Sequence, residues 1–173
     1  MTASASAPTS KRPQAFPAIA LASLVAGILD ISSAFIIWAS RGVGPIRGLQ
    51  GIATGLLGPD SFNRGLTSAG LGLAVHFLIM LVSASLFYIA SRKLRFLTQH
   101  AIACGLAYGV AVYLFMTFVV LPLASIKVQH SVPEVMRSMI IVMLLVGLPI
   151  ALIVRRYSRA SLASQPTTNN DQP

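Results

Sequence analysis

From Leu66 to Ala90, and again from Ala101 to Ile126, the chain contains no Lys, Arg, Asp or Glu. An α-helix crosses a hydrocarbon core of about 30 Å with about 20 such residues, at a rise of 1.5 Å each. Two further blocks share this character. The first runs from about Pro17 to Ala39 and is interrupted only by Asp30; the last runs from about Pro133 to Val154, with Glu134 and Arg137 near its start. Inside lipid a backbone must satisfy its own polar groups, which a helix does. The blocks therefore predict four spanning helices at about 17–39, 66–90, 101–126 and 133–154.

The composition agrees: 55% of the 173 residues are hydrophobic and 10% are charged, against about 25% charged in an ordinary soluble domain. A solvated globule is excluded, and so is disorder over most of the length. Four spans leave no room for a separate soluble domain. The expected fold is an all-α integral membrane four-helix bundle over residues 17–154. It is flanked by a flexible basic tail (1–16) and a flexible C-terminal tail (155–173). A signal peptide shares the basic-then-apolar order, and Ser32-Ser33-Ala34 imitates a cleavage site. The run continues through Phe35-Ile36-Ile37-Trp38, however, so an uncleaved span is expected.

Thirteen basic residues against four acidic ones give a net charge of +9. In a soluble protein that excess would suggest nucleic acid. Here the basic residues fall between or outside the apolar blocks and form no patch interleaved with aromatics, so no nucleic-acid partner is expected. They read instead as an orientation code and as attraction to anionic headgroups of the lipid bilayer. Lys11, Arg12, Arg92, Lys93, Arg95, Arg155, Arg156 and Arg159 share one side, and Arg41, Arg47, Arg64 and Lys127 share the other. The richer side is cytoplasmic by the positive-inside rule, which places both termini there. Trp38, Tyr88 and Tyr157 suit interfacial anchoring.

The first outer loop, about residues 40 to 65, is glycine-rich yet too apolar to be simply solvated. Ile46, Leu49, Ile52, Ala53, Leu56 and Leu57 recur at helical spacing, and Gly58-Pro59 would stop that helix. Residues 46–57 are thus expected as a short interfacial or re-entrant helix, with a plain connecting loop as the alternative. Asp60 or Ser61 is positioned to cap the following turn. Ser131-Val132-Pro133-Glu134 matches a capping box that opens the fourth helix, with Arg137 one turn on as a partner for Glu134. Pro149 should kink that helix, and Pro122 the third.

Two ionisable groups lie within the apolar blocks, Asp30 and His76. A central Asp costs roughly 2.5–3.5 kcal/mol on insertion scales, so it should face the bundle interior and find a partner. Ser23, Gly27, Asp30 and Ala34 define one helix face, and Ala69, Gly72, His76 and Ser83 define another. Both ionisable groups fall at nearly the same depth, differing by about 3 Å along the helix axes. An Asp30–His76 pair is therefore plausible, either as a tie between helices or as an element that moves protons or lines a polar path. Arg41, Arg47, Asp60, Asn63 and Arg64 form a second candidate cluster, an anion site at the outer surface or a headgroup anchor.

His76 is the one histidine inside a span, so haem ligation by two histidines is not expected. No metal-ligand spacing, phosphate loop or Ser/His/Asp set is present, and Cys104 reads as a small packing residue. No cofactor is expected. The GxxxG of Gly105 and Gly109, with Gly70/Ala74 and Ser23/Gly27, lets helix backbones approach closely, either within the bundle or in a homo-oligomer.

The stretch Gly48–Pro59, the pairing of His76-Phe77 with Tyr88-Ile89-Ala90-Ser91-Arg92, and Tyr108–Met116 followed by Val119-Val120-Leu121-Pro122-Leu123 resemble a family of small bacterial four-helix inner-membrane proteins. They resemble the YagU-like inner-membrane proteins, linked with acid tolerance, more loosely. The resemblance covers about residues 17 to 154. It implies a multi-pass protein of the bacterial inner membrane and supplies no catalytic residue. The expectation is a non-enzymatic membrane protein with a structural or stress-related role; the alternative is a small transporter, channel or proton-conducting element using Asp30 and His76.

Overall fold

The computed structural model describes residues 15–120 and 131–163. Helix α1 is Ala15–Ser40, α2 is Pro45–Leu57, and a 3-10 turn, Gly58–Asn63, leads into α3, Gly65–Lys93. A short α4, Phe96–Gln99, precedes α5, Ala101–Phe115, which continues through a π-helical turn, Met116–Val120. The last span is built from α6, Val132–Val142, a second π-helical turn, Met143–Gly147, and α7, Leu148–Ala163. No strand occurs among the described residues. Four helices are long and apolar enough to cross a membrane: Ala15–Ser40, Gly65–Lys93, Ala101–Val120 and Val132–Ser158.

Two contacts fix the directions of the spans. Ala22 and Ala26 early in α1 pack in one core with Ala84 and Phe87 late in α3, Ala101 at the start of α5, and Ile150 and Val154 of α7. At the opposite end, Arg41 just after α1 pairs with Glu134 at the start of α6, Nη2 to Oε1 at 2.6 Å. Successive spans are therefore antiparallel, and Ala15 and Ala163 lie at the same end of the bundle, here called the terminal end. The first loop lies at the other, the loop end.

Alongside Phe87, Val146, Ile150 and Val154, the core contains many small residues. Ala18, Ala22, Ala26, Ala84, Ala101 and Ala151 are buried, whereas Leu24, Ile28, Ile36, Leu78, Leu86, Ile102 and Phe118 face outward. A water-soluble fold hides its large apolar groups. Here small residues bring backbones together and the large side chains cover the perimeter, as expected where the surrounding solvent is lipid. At the crossing of α5 with the last span, a Cβ on Gly109 would lie 2.5 Å from the Met143 Cα, and one on Gly147 would lie 2.8 Å from the Gly109 Cα. Gly105 packs on the same span, against Ala151 and Leu148. The GxxxG thus works inside the bundle, while Gly70 and Ala74 are exposed.

At Pro149, where a kink is expected, the last span carries a π-helical turn, Met143–Gly147, immediately upstream. Proline has no N–H, and its ring crowds the carbonyl four residues earlier. The preceding turn widens in response, so that the Leu148 N–H donates to the Met143 carbonyl, five residues back. Pro122, Lys127 and His130 lie outside the described residues, as do the end of the third apolar block and most of both tails.

The start of the last span differs from the expected capping box. Ser131 is the N-cap, but its side chain makes no capping bond; its carbonyl accepts from the Glu134 N–H at 3.0 Å. The Glu134 carboxylate pairs with Arg41 rather than with Arg137 or the cap.

Candidate functional site

The loop helix decides the architecture of the loop end. α2 is a true helix, which removes the plain-loop alternative, and it packs along α3. The missing side chain of Gly72 is the reason. Gly72 sits seven residues into α3, about 10 Å along its axis, and receives the Leu49 carbonyl and the Ala53 N–H of α2 on its bare face. Gly48 gives α2 a second close approach: the Trp38 ring of α1 occupies the space where a Cβ would stand. Buried Gln50 completes the docking, its Nε2 donating to the Gly65 carbonyl at 2.9 Å. The 3-10 turn is held from α3, where the Ser68 hydroxyl donates to the Ser61 carbonyl. Asp60 is exposed and Ser61 is buried, and Leu57 stands at the N-cap of the turn.

With α2 in place, all four spans and the loop helix line a partly open cavity of about 220 Å³ in the loop-end half of the bundle. α1 contributes Asp30, Ala34 and Trp38, α2 contributes Ile52, and α3 contributes His76. Tyr113 and Met116 come from α5, and Val142 and Val146 from the last span. Both π-helical turns border the cavity, through Met116 and Val146. Such widened turns occur often at functional sites.

Asp30 and His76 therefore share one cavity, as their matched depth suggested. They form no ion pair or hydrogen bond with each other. The His76 Nε2 donates instead to the Gly27 carbonyl of α1 at 3.1 Å. A carbonyl can only accept, so Nε2 carries a proton in this contact. Gly27 has a double role: its carbonyl receives His76, and its bare Cα lets the Phe77 ring rest against α1. The Asp30 backbone carbonyl accepts the Ser33 hydroxyl, but no described residue hydrogen-bonds the Asp30 carboxylate. It lines the cavity half-buried.

Tyr108, missed in the sequence reading, makes an equivalent tie between α3 and α5. Its hydroxyl donates to the Ser83 carbonyl at 2.7 Å, and its ring meets Phe87 edge-on with centroids 5.0 Å apart. Nothing in spacing distinguishes this tyrosine from Tyr113, because the acceptor is a backbone atom on another helix.

The outer cluster is dispersed among different partners. Arg41 is paired with Glu134, and the Arg47 guanidinium lies 5.1 Å from the centroid of the Phe62 ring. Asn63 and Arg64 are exposed at the junction of the 3-10 turn with α3. No group of three or more His, Cys, Asp or Glu residues able to hold a metal ion occurs among the described residues.

These features define an all-α bundle of four membrane-spanning-capable helices, with a loop helix packed into one end and, beneath it, a mainly apolar cavity that holds Asp30 and His76. Comparison of the chain with protein-family models, curated proteins and solved structures yields no match.

Proposed function

We propose that this chain is a non-enzymatic, multi-pass protein of a bacterial inner membrane, related to the family it resembles, with both termini cytoplasmic and a structural or stress-related role. One observation carries the reading: the chain uses its span polar groups to tie its own helices together. His76 joins α3 to α1, and Tyr108 joins α5 to α3, each through a neighbour's backbone carbonyl. Gln50 holds the loop helix in the same way. Combined with glycine-mediated backbone contact, these bonds support a tightly closed bundle, not one that opens and closes around a substrate. Any homo-oligomer would use faces other than Gly105 and Gly109, which the last span covers.

The exception is Asp30, and it favours a second reading, a proton-conducting or transport element centred on Asp30 and His76. Reconstitution in liposomes with an internal pH dye separates the two. The structural role expects no proton flux under an imposed pH gradient or membrane potential; flux that Asp30→Asn abolishes would replace it with the second reading. Reporter fusions at residues 95 and 173 test the orientation, and a periplasmic signal from either would overturn it.

A further inference from the structure

A carboxylate at mid-span depth is costly unless something compensates its charge. Asp30 has no hydrogen-bonding or ion-pair partner among the described residues, and the described arginines of the loop end are engaged or exposed elsewhere. Arg41 is held by Glu134 and Arg47 lies over Phe62. His76 is oriented by the Gly27 carbonyl. What the carboxylate does face is a cavity whose walls, His76 apart, are apolar or aromatic.

We propose that this cavity binds a small lipophilic monovalent organic cation, a protonated amine or quaternary ammonium, with the Asp30 carboxylate as its counter-ion. The sign follows from Asp30, the one carboxylate in the lining. The valence follows from the same group: a monocation leaves the pair neutral, whereas a dication or an anion would leave uncompensated charge at hydrocarbon depth. The chemical class follows from the walls. Hard inorganic cations need several oxygen ligands, typically six or more for calcium and magnesium, and the lining does not gather them. Trp38, Tyr113, Ile52 and Met116 suit an organic body, and aromatic rings attract cations. The size also fits. An apolar cavity of about 150 Å³ takes up benzene, so about 220 Å³ accommodates one ring with a small ammonium head.

The site is the cavity of the transport reading, but the proposal rests on binding alone and needs no conduction. Binding without proton flux removes the transport reading and leaves this one. Flux without binding does the reverse.

The chain's single tryptophan, Trp38, lines the cavity and supplies the readout. The full chain in lipid nanodiscs is titrated with benzyltrimethylammonium, and Trp38 fluorescence is followed. A saturable change is expected. Asp30→Asn, nearly isosteric, should weaken the affinity at least tenfold, and Ala34→Phe, which fills the cavity from α1, should abolish the change. The neutral isostere neopentylbenzene should bind at least tenfold more weakly than the cation to the unaltered protein. Three results would overturn the proposal: no saturable change, undiminished affinity in a folded Asp30→Asn protein, or equal binding of neopentylbenzene, which would mark an apolar void filled by lipid. The isostere comparison needs no variant, so the proposal can fail even if both substitutions unfold the chain.

Discussion

Gly147 is the position at which one methyl group should do most damage. It lies in the widened turn before Pro149, where the last span crosses α5. A Cβ there would stand 2.7 Å from the Gly109 nitrogen and 2.8 Å from its Cα, with the Gly105 carbonyl oxygen closer still. All three atoms belong to backbone, so no side chain can rotate away. Ordinary carbon contacts lie near 3.5–4.0 Å, and the two helices must therefore separate by about 1 Å. Overpacking usually costs about 1–3 kcal/mol. A rigid backbone contact belongs at the upper end, less the gain of up to about 1 kcal/mol that alanine brings to a helix interior. The net expectation for Gly147→Ala is a loss of about 2 kcal/mol, nearly thirtyfold in the folded-to-unfolded ratio. Helical circular dichroism of the protein in mixed micelles, titrated with denaturing detergent, measures it. Gly70→Ala is the internal control, because a Cβ there meets nothing within 4 Å; it should be neutral or stabilising. If Gly147→Ala and Gly70→Ala unfold at the same detergent fraction, the proposed backbone contact between α5 and the last span is wrong.

Tyr108→Phe should cost about 0.6 kcal/mol, the average for an inter-helix hydrogen bond in a membrane, with the loss seen in the same detergent titration. His76→Leu removes the tie to Gly27 and should cost up to about 1.7 kcal/mol; disulfide cross-linking of cysteine pairs placed on α1 and α3 should slow in parallel. Both partners of the Arg41–Glu134 pair are nearly half exposed, at 48% and 43%, so Glu134→Gln should shift stability by no more than about 1 kcal/mol and less in high salt. Gly48→Leu would drive a side chain into the Trp38 ring and should undock α2, read as a red-shifted Trp38 emission and protease cleavage within residues 41–64. Unchanged emission would show that the loop helix docks by some other contact.

The span positions were legible because hydrophobic length is a one-dimensional property. The chain shows where four helices must be, and a bilayer needs nothing more to accept them. The buried faces were legible for a related reason: Ala69, Gly72, His76 and Ser83 share one face of α3 and are all buried, and on α1 Ser23 and Gly27 are buried while Asp30 and Ala34, on the same face, are partly exposed at the cavity. The helix over residues 46–57 was legible from its periodicity and its Gly58-Pro59 stop, but its place was not. Docking depends on the absence of a side chain at Gly72 meeting the backbone of Leu49, and neither residue signals the other in sequence.

The polar contacts show the same limit more sharply. Pairing Asp30 with His76 is the natural inference from charge and depth, and the two do reach one cavity. The hydrogen bonds go elsewhere, since the acceptors of His76, Tyr108 and Gln50 are carbonyls of Gly27, Ser83 and Gly65. Every residue carries a carbonyl, so sequence cannot mark which one will be met. Glu134 illustrates the competition: local spacing favoured its own cap and Arg137, and a guanidinium brought in from the end of α1 took it instead.

By itself, then, the sequence determined the solvent, the number and length of the spans, and the two ionisable residues that the bilayer makes expensive. All of these follow from the transfer free energies of the side chains, which each residue carries with it. Only the tertiary structure decided which small residues touch, where the loop helix rests, and that Asp30 is left facing a cavity while His76 is tied to a carbonyl. Those outcomes depend on how closely backbones approach, and that distance is set between helices, not within them.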